Sequence, residues 1–144
     1  MMSAHILYPE IDSERPATLS RLLLNDVLRE ELGFKGVITT DDVGMGAVST
    51  LFGRPGIAVS ALRAGCDLIM MSAHWTDTNR AIGLAQDLDN GLSNGTLNPT
   101  LFEASQKRID TFLNAVKVHP VEVLPKALFA AHREIVAQIS EVEL

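Results

Sequence analysis

Two adjacent carboxylates, Asp41 and Asp42, close the apolar run 36–40 (GVITT), and VGMGAV follows in place of a second strand. A carboxylate at the carboxyl end of a buried strand, with glycine close by, can approach a small ligand. The same position suits a plainer role, in which the acid caps the next turn by accepting backbone N–H groups. Position alone leaves both readings open. Two other chemistries that use strand-end acids fit poorly. No Asp-x-Asp stands at a strand end, as in dehalogenase-type phosphatases, and no lysine-bearing strand end follows, as a phosphoryl-accepting acid cluster would need.

Other polar residues stand at comparable places. His5 ends the first apolar run, and Ser72 and His74 end the third, with Trp75 beside them. His5 can touch a ligand or tie down a neighbouring loop backbone. Trp75 can offer a stacking face or simply fill a surface loop. His119 and His132 are assigned no chemistry. Cys66 reads as a small core residue, Arg63 as a solvated helix end, and Met70 and Met71 as core.

These residues need elements to hold them. Three strands are predicted, at 1–7, 36–40 and 67–72. A helix over 20–32 follows the first, with Ser20 as its cap, Leu23, Leu24, Val27 and Leu28 at helical spacing, and Gly33 as its stop. A short helix is expected near 55–64 and another over 77–92. Asn98 and Pro99 open a helix to about residue 116, and Pro125 opens a last one whose inward face would be Leu128, Ile135, Val136, Ile139 and Val142. Strands alternating with helices imply an α/β fold with a parallel sheet, since each parallel connection needs a crossover. Ile6, Val37, Ile38, Ile69 and Met71 are expected on the open inner face of that sheet. The pentapeptide MMSAH occurs at 1–5 and again at 70–74, which fits either chance or an internal repeat.

Composition sets the outer limits. The chain has 144 residues, 47% of them hydrophobic, with a net charge of −6 and one cysteine. That is one domain with a real core. No basic cluster supports a nucleic-acid role, and no multi-cysteine metal site is available. No run approaches the roughly 20 apolar residues of a membrane span. The start, apolar at once without a positive region, points to a cytoplasmic location. No cofactor and no metal are expected.

The stretch VLREELGFKGVITTDDVGMGAV resembles the nucleophile signature of family 3 glycoside hydrolases. The matching positions are Val27, Leu28, Arg29, Glu31, Gly36, Val37, Ile38, Thr40 and Asp41. Thr39 departs from the usual apolar residue. Asp41, Asp42 and Met45, spaced as Asp-Asp-x-x-Met, are similar to the β-N-acetylhexosaminidase branch. MMSAHILYPEID with RPATLS resembles the family's strand 6, AVSALRAGCDLIMM its approach to strand 8, and LFEASQKRI a helix near the end of its barrel domain.

The resemblance implies a partial (β/α)8 TIM barrel. Residues 1–117 would supply strands like 6 to 8, and residues 118–144 a linker and C-terminal helix packed on the same domain. It implies a retaining reaction on an amino-sugar glycoside with Asp41 as nucleophile, and Met2, His5, Asp42 and Met45 at the substrate. The family's acid/base, a His–Asp pair in a Lys-His-Phe-Pro-Gly-His-Gly-Asp-like segment, has no counterpart in these residues. The chain is therefore expected to be inactive alone, and to act as a homo-oligomer or with a complementing N-terminal fragment. The alternative is a non-catalytic truncated barrel serving as an interaction or sugar-binding subunit.

Overall fold

The computed structural model describes residues 1–49, 56–72, 78–116 and 126–140; His74, Trp75 and His119 lie outside them. Its helical elements are a 3-10 turn Ala17–Leu19, a π-wound helix Leu22–Glu31, a short turn Gly46–Ser49, and α-helices Ile57–Ala64, Asn79–Ser93, Pro99–Ala115 and Lys126–Ser140.

The three predicted strands are present as extended segments only. Met2 bridges Thr39 and Thr39 bridges Leu68, both in parallel, and among the described residues neither bridge grows into a ladder. Side chains explain the interruption. The Asp67 carboxylate accepts the Ile38 N–H at 2.8 Å, and the Thr40 hydroxyl oxygen accepts the Met70 N–H at 2.9 Å. Two amides that could have bonded strand to strand are thereby diverted. The expectation of three regular strands is corrected to three parallel segments joined by isolated bridges, with 36–40 in the middle.

The faces of these segments also differ from expectation. Ile38 is fully buried, and Ile69 and Met71 pack against the core of Leu19, Leu24, Val43, Ile57 and Ala61, on the helix side. Leu68 and Met70, one residue out of step, are exposed together with Met2 and Ile6. Alternation along an extended chain makes this a one-residue exchange of faces. Of the expected open face, Ile6 is exposed, while Ile38, Ile69 and Met71 belong to the other side.

The first helix begins as the sequence predicts. Its Ser20 cap accepts the Leu23 N–H at 3.2 Å, and at its end Gly33 takes φ +70°, where glycine is favoured. Its winding was not foreseen. Leu24 and Arg29 are both buried. Five residues apart on an α-helix of 3.6 residues per turn, they would sit about 140° apart. The π-helix, with bonds to the fifth residue back, brings them to one face, and the Leu32 N–H reaches the Val27 carbonyl at 2.9 Å.

That winding delivers Arg29 into a buried knot. Its Nη1 donates to the Gly36 carbonyl at 3.2 Å, and its Nη2 to the Gly65 carbonyl at 2.9 Å and to Asp67 Oδ2 at 2.7 Å. Arg108, on helix Pro99–Ala115, binds the other oxygen of Asp67 through Nε and Nη2, both at 2.8 Å. The knot ties the starts of the second and third segments to two helices.

Helix Ile57–Ala64 lies centrally, against Ala17–Leu19, Leu22–Glu31, Asn79–Ser93 and Pro99–Ala115. Asn98 caps the last of these, its Oδ1 accepting the Thr100 N–H at 3.0 Å, as Asn98 and Pro99 predict. In helix Lys126–Ser140 the expected inward residues Ile135, Val136 and Ile139 are exposed. Helical periodicity shows that a helix is two-sided, and it does not show what covers the apolar side.

Candidate functional site

Asp41 stands where the middle segment leaves the layer. The segment beneath it is braced on both sides. The Ser3 N–H donates to the Thr39 carbonyl at 2.8 Å, and the Thr40 N–H donates to the Leu68 carbonyl at 2.9 Å. Thr40 is fully buried and also holds Met70 through its hydroxyl. The signature threonine is thus a brace that fixes the backbone from which Asp41 projects.

The two acids do different work. Asp42 holds the loop: its Oδ1 accepts the Gly44 N–H at 2.8 Å, an Asx-type turn, and its Oδ2 accepts the Ser72 hydroxyl in a short hydrogen bond. Gly44 leaves room for this turn, since an added Cβ would press on Asp42 Oδ1 at 3.0 Å and Met71 Sδ at 3.1 Å. Asp41 is half-buried, and its Oδ1 accepts the Asp42 N–H at 2.7 Å. Among the described residues it accepts no hydrogen bond from another side chain.

His5 fixes the same loop from the first segment. Its Nε2 lies 3.0 Å from the Asp42 carbonyl oxygen and its Nδ1 2.9 Å from the Thr18 hydroxyl. A carbonyl can only accept, so Nε2 carries the proton. In the neutral ring Nδ1 then accepts from Thr18, which in turn accepts from the Ser3 hydroxyl at 3.0 Å. This relay keeps both ring nitrogens occupied.

The structure therefore brings His5, Asp41, Asp42 and Met45 together. The Met45 N–H donates to the Asp42 carbonyl at 3.0 Å, and its side chain is half-exposed. Met2 bridges Thr39, two residues before Asp41, so it lies about 6–7 Å further down the layer. Its side chain is exposed. Ser3 and Thr18 escape sequence reasoning because their link to His5 spans the loop between them. Asp67 was readable only as an acid opening an apolar run, a weak signal that its burial now explains. Cys66 is buried, as expected of a core thiol, and burial pushes its pKa up to about 12.

Among the described residues no three His, Cys, Asp or Glu side chains gather as metal ligands, and no helix is long and apolar enough to cross a membrane.

Residues 1–112 match the family described as "Glycosyl hydrolase family 3 N terminal domain". A β-hexosaminidase of Vibrio cholerae is 46% identical over 71 residues, covering 49% of this chain and 21% of that protein. An uncharacterized secreted glycosyl hydrolase of Arthroderma benhamiae is 38% identical over 110 residues, 76% of this chain and 30% of its own length. Among solved structures, the β-N-acetylglucosaminidase of Thermotoga maritima aligns with a TM-score of 0.74 at 34% identity, over 81% of this chain and 25% of that one. The chain thus spans less than a third of the length of each of these proteins.

Proposed function

Because the chain belongs to glycosyl hydrolase family 3, matching its N-terminal domain, we propose that Asp41 is the nucleophile of a retaining site for β-linked N-acetylhexosamine, within a partial barrel. The observation that carries this reading is the division of labour between the two acids. Asp42 is spent on the Gly44 N–H and the Ser72 hydroxyl, whereas Asp41 sits on a braced backbone with no side-chain donor upon it among the described residues. The hexosaminidase and β-N-acetylglucosaminidase names of the matched proteins support the substrate class.

In this reaction the Asp41 carboxylate attacks the anomeric carbon, the bond to the leaving oxygen breaks, and a glycosyl-enzyme ester forms. Water then hydrolyses the ester. The leaving oxygen needs a proton from a general acid, worth about 10²–10⁴-fold in rate. His5 is poorly placed to give it, since its Nε2 proton is held by the Asp42 carbonyl. We assign His5 and Asp42 to positioning of the loop and Met2 and Met45 to the rim of the sugar site. The acid/base would come from residues other than these 144.

The test is hydrolysis of an aryl β-N-acetylglucosaminide. The purified chain alone should show little or none. A fragment carrying the first five β/α units of a family 3 barrel should restore it. In that complex Asp41→Asn should abolish turnover and Asp42→Asn should reduce it less. Robust turnover by the chain alone, lost in Asp41→Asn, would overturn the need for an outside acid. Equal, complete losses in the two variants would overturn the division of roles.

A second reading, a non-catalytic interaction subunit, is favoured by the exposed apolar face of Met2, Ile6, Leu68 and Met70. The same complementation separates the two, because a purely structural partner should bind without gaining an Asp41-dependent activity.

A further inference from the structure

At the end of the layer opposite Asp41, near Gly65 and the start of the third segment, a cleft of about 490 Å³ opens between helices Leu22–Glu31, Ile57–Ala64 and Pro99–Ala115. Its lining includes Arg21, Arg29, Arg63 and Arg108, with no lysine. These are four of the twelve basic residues of a chain whose net charge is −6. The volume falls in the range of small-ligand sites.

The charges are arranged as well as gathered. Arg29 and Arg108 share one carboxylate, that of Asp67, so one positive charge at the floor is uncompensated. Arg29 is nine-tenths buried, and its Nε has no hydrogen-bond partner. Arg63 is exposed on the last turn of its helix and makes no ion pair or hydrogen bond among the described residues. Asn98 also lines the cleft, so the N-terminus of the 17-residue helix Pro99–Ala115 opens on it and adds its positive dipole end. On the other side of the balance, Arg21 lies 3.5 Å from Asp26, and Glu30 lines the rim with its carboxylate accepting from the Asn25 amide.

We propose that this cleft binds a tetrahedral oxyanion, a phosphate or sulfate group either free or carried on a sugar. The exposed Arg63 guanidinium presents paired N–H donors to such oxygens, which a lysine does not, while Arg29 and Arg108, their forks engaged in the knot, supply fixed positive charge. Arg29 and Arg108 are already immobilised by Asp67, so little side-chain freedom is lost on binding. The site is independent of the chemistry at Asp41.

Inorganic phosphate titrated into the full chain at low ionic strength, followed by calorimetry, tests this. Saturable one-to-one binding is expected. Arg63→Ala, at an exposed position outside the knot, should weaken it about tenfold, the loss of one charge-assisted contact. Glu30→Gln should tighten it by removing the opposing charge, and Arg133→Ala, on helix Lys126–Ser140, should leave it unchanged. Glucose 6-phosphate in a second arm separates the sources: equal affinity supports a free-ion site, and tighter binding supports a sugar ester. Absence of saturation up to ~10 mM phosphate, weaker than the ~1 mM that about 4 kcal/mol provides, overturns the proposal. So does equal weakening in Arg63→Ala and Arg133→Ala, which would mark diffuse surface attraction.

Discussion

Replacing Asp67 by Asn exchanges one oxygen for an amino group and tests whether the buried knot carries the fold. Oδ2 accepts from Arg29 and from the Ile38 N–H, and Oδ1 accepts from Arg108. An asparagine must turn its amino group toward one of these sets of donors. Facing Arg29 and Ile38, it would strand two buried donors. Facing Arg108, it repels a guanidinium that is 28% exposed and can turn to water. The second orientation costs less, yet in both the negative charge is gone and Arg29 stays charged with a tenth of its side chain exposed.

Removing one partner of a buried pair costs about 3–5 kcal/mol. The carbonyls of Gly36 and Gly65 still hold Arg29, which places the expected loss near ~3 kcal/mol. That is a large part of the ~5–15 kcal/mol of a typical domain. In urea, with a slope of ~1–3 kcal/mol per molar, the unfolding midpoint should fall by about 1 M or more. Arg108→Ala should cost less, about 1–2 kcal/mol, because Arg29 still neutralises the carboxylate. A midpoint for Asp67→Asn indistinguishable from the parent would refute the reasoning. A larger loss in Arg108→Ala than in Asp67→Asn would refute the ranking.

Helix Asn79–Ser93 contains two glycines with opposite expectations. An added Cβ meets nothing within 4 Å at Gly83 but meets Val59 Cγ2 at 2.6 Å at Gly91, so Gly83→Ala should stabilise by ~0.5–1 kcal/mol and Gly91→Ala should destabilise by ~1–3 kcal/mol, both read by thermal or urea unfolding. The Cys66 thiol, raised from 9.0 to about 12 by burial, keeps its proton in the folded state after the unfolded chain has lost it. Its contribution is therefore fully present below pH ~9 and declines toward pH ~12, by at most 1.36 kcal/mol per pH unit. Cys66→Ala should flatten that alkaline decline, and an unchanged profile would count against it. The exposed Met2, Ile6, Leu68 and Met70 should give concentration-dependent association in sedimentation equilibrium, or else binding of a hydrophobic dye; a compact monomer that binds no dye would show this face covered.

The two acids are legible in the sequence because an apolar run ending in carboxylates is a local pattern. Their separate roles are not, because they depend on His5 and Ser72, which lie 37 and 30 residues from Asp42. Helix starts at Ser20 and Asn98 are legible for the same local reason, since a cap acts within three residues. The interrupted ladder is hidden, because whether Asp67 and Thr40 point into the backbone or away from it is decided by tertiary packing. The exchange of faces at residues 68–71 follows from reading DLIMMS as uniformly apolar. Such a run holds no alternation from which to choose a side.

The π-wound helix Leu22–Glu31 has a further consequence. It carries about one residue more per turn than an α-helix of the same length, and Arg29 is the residue that this surplus turns inward. If the anchors of Arg29 were cut, the wider coil would keep only pairings within the helix, such as Leu32 N–H to the Val27 carbonyl and Asn25 to Glu30, against the commoner winding. Rewinding would swing Arg29 away from the face it shares with Leu24. The geometry of this helix is thus a gauge of the anchoring at its far end: a tightening of its coil would report the release of Arg29 from Asp67 and from the Gly36 and Gly65 carbonyls together.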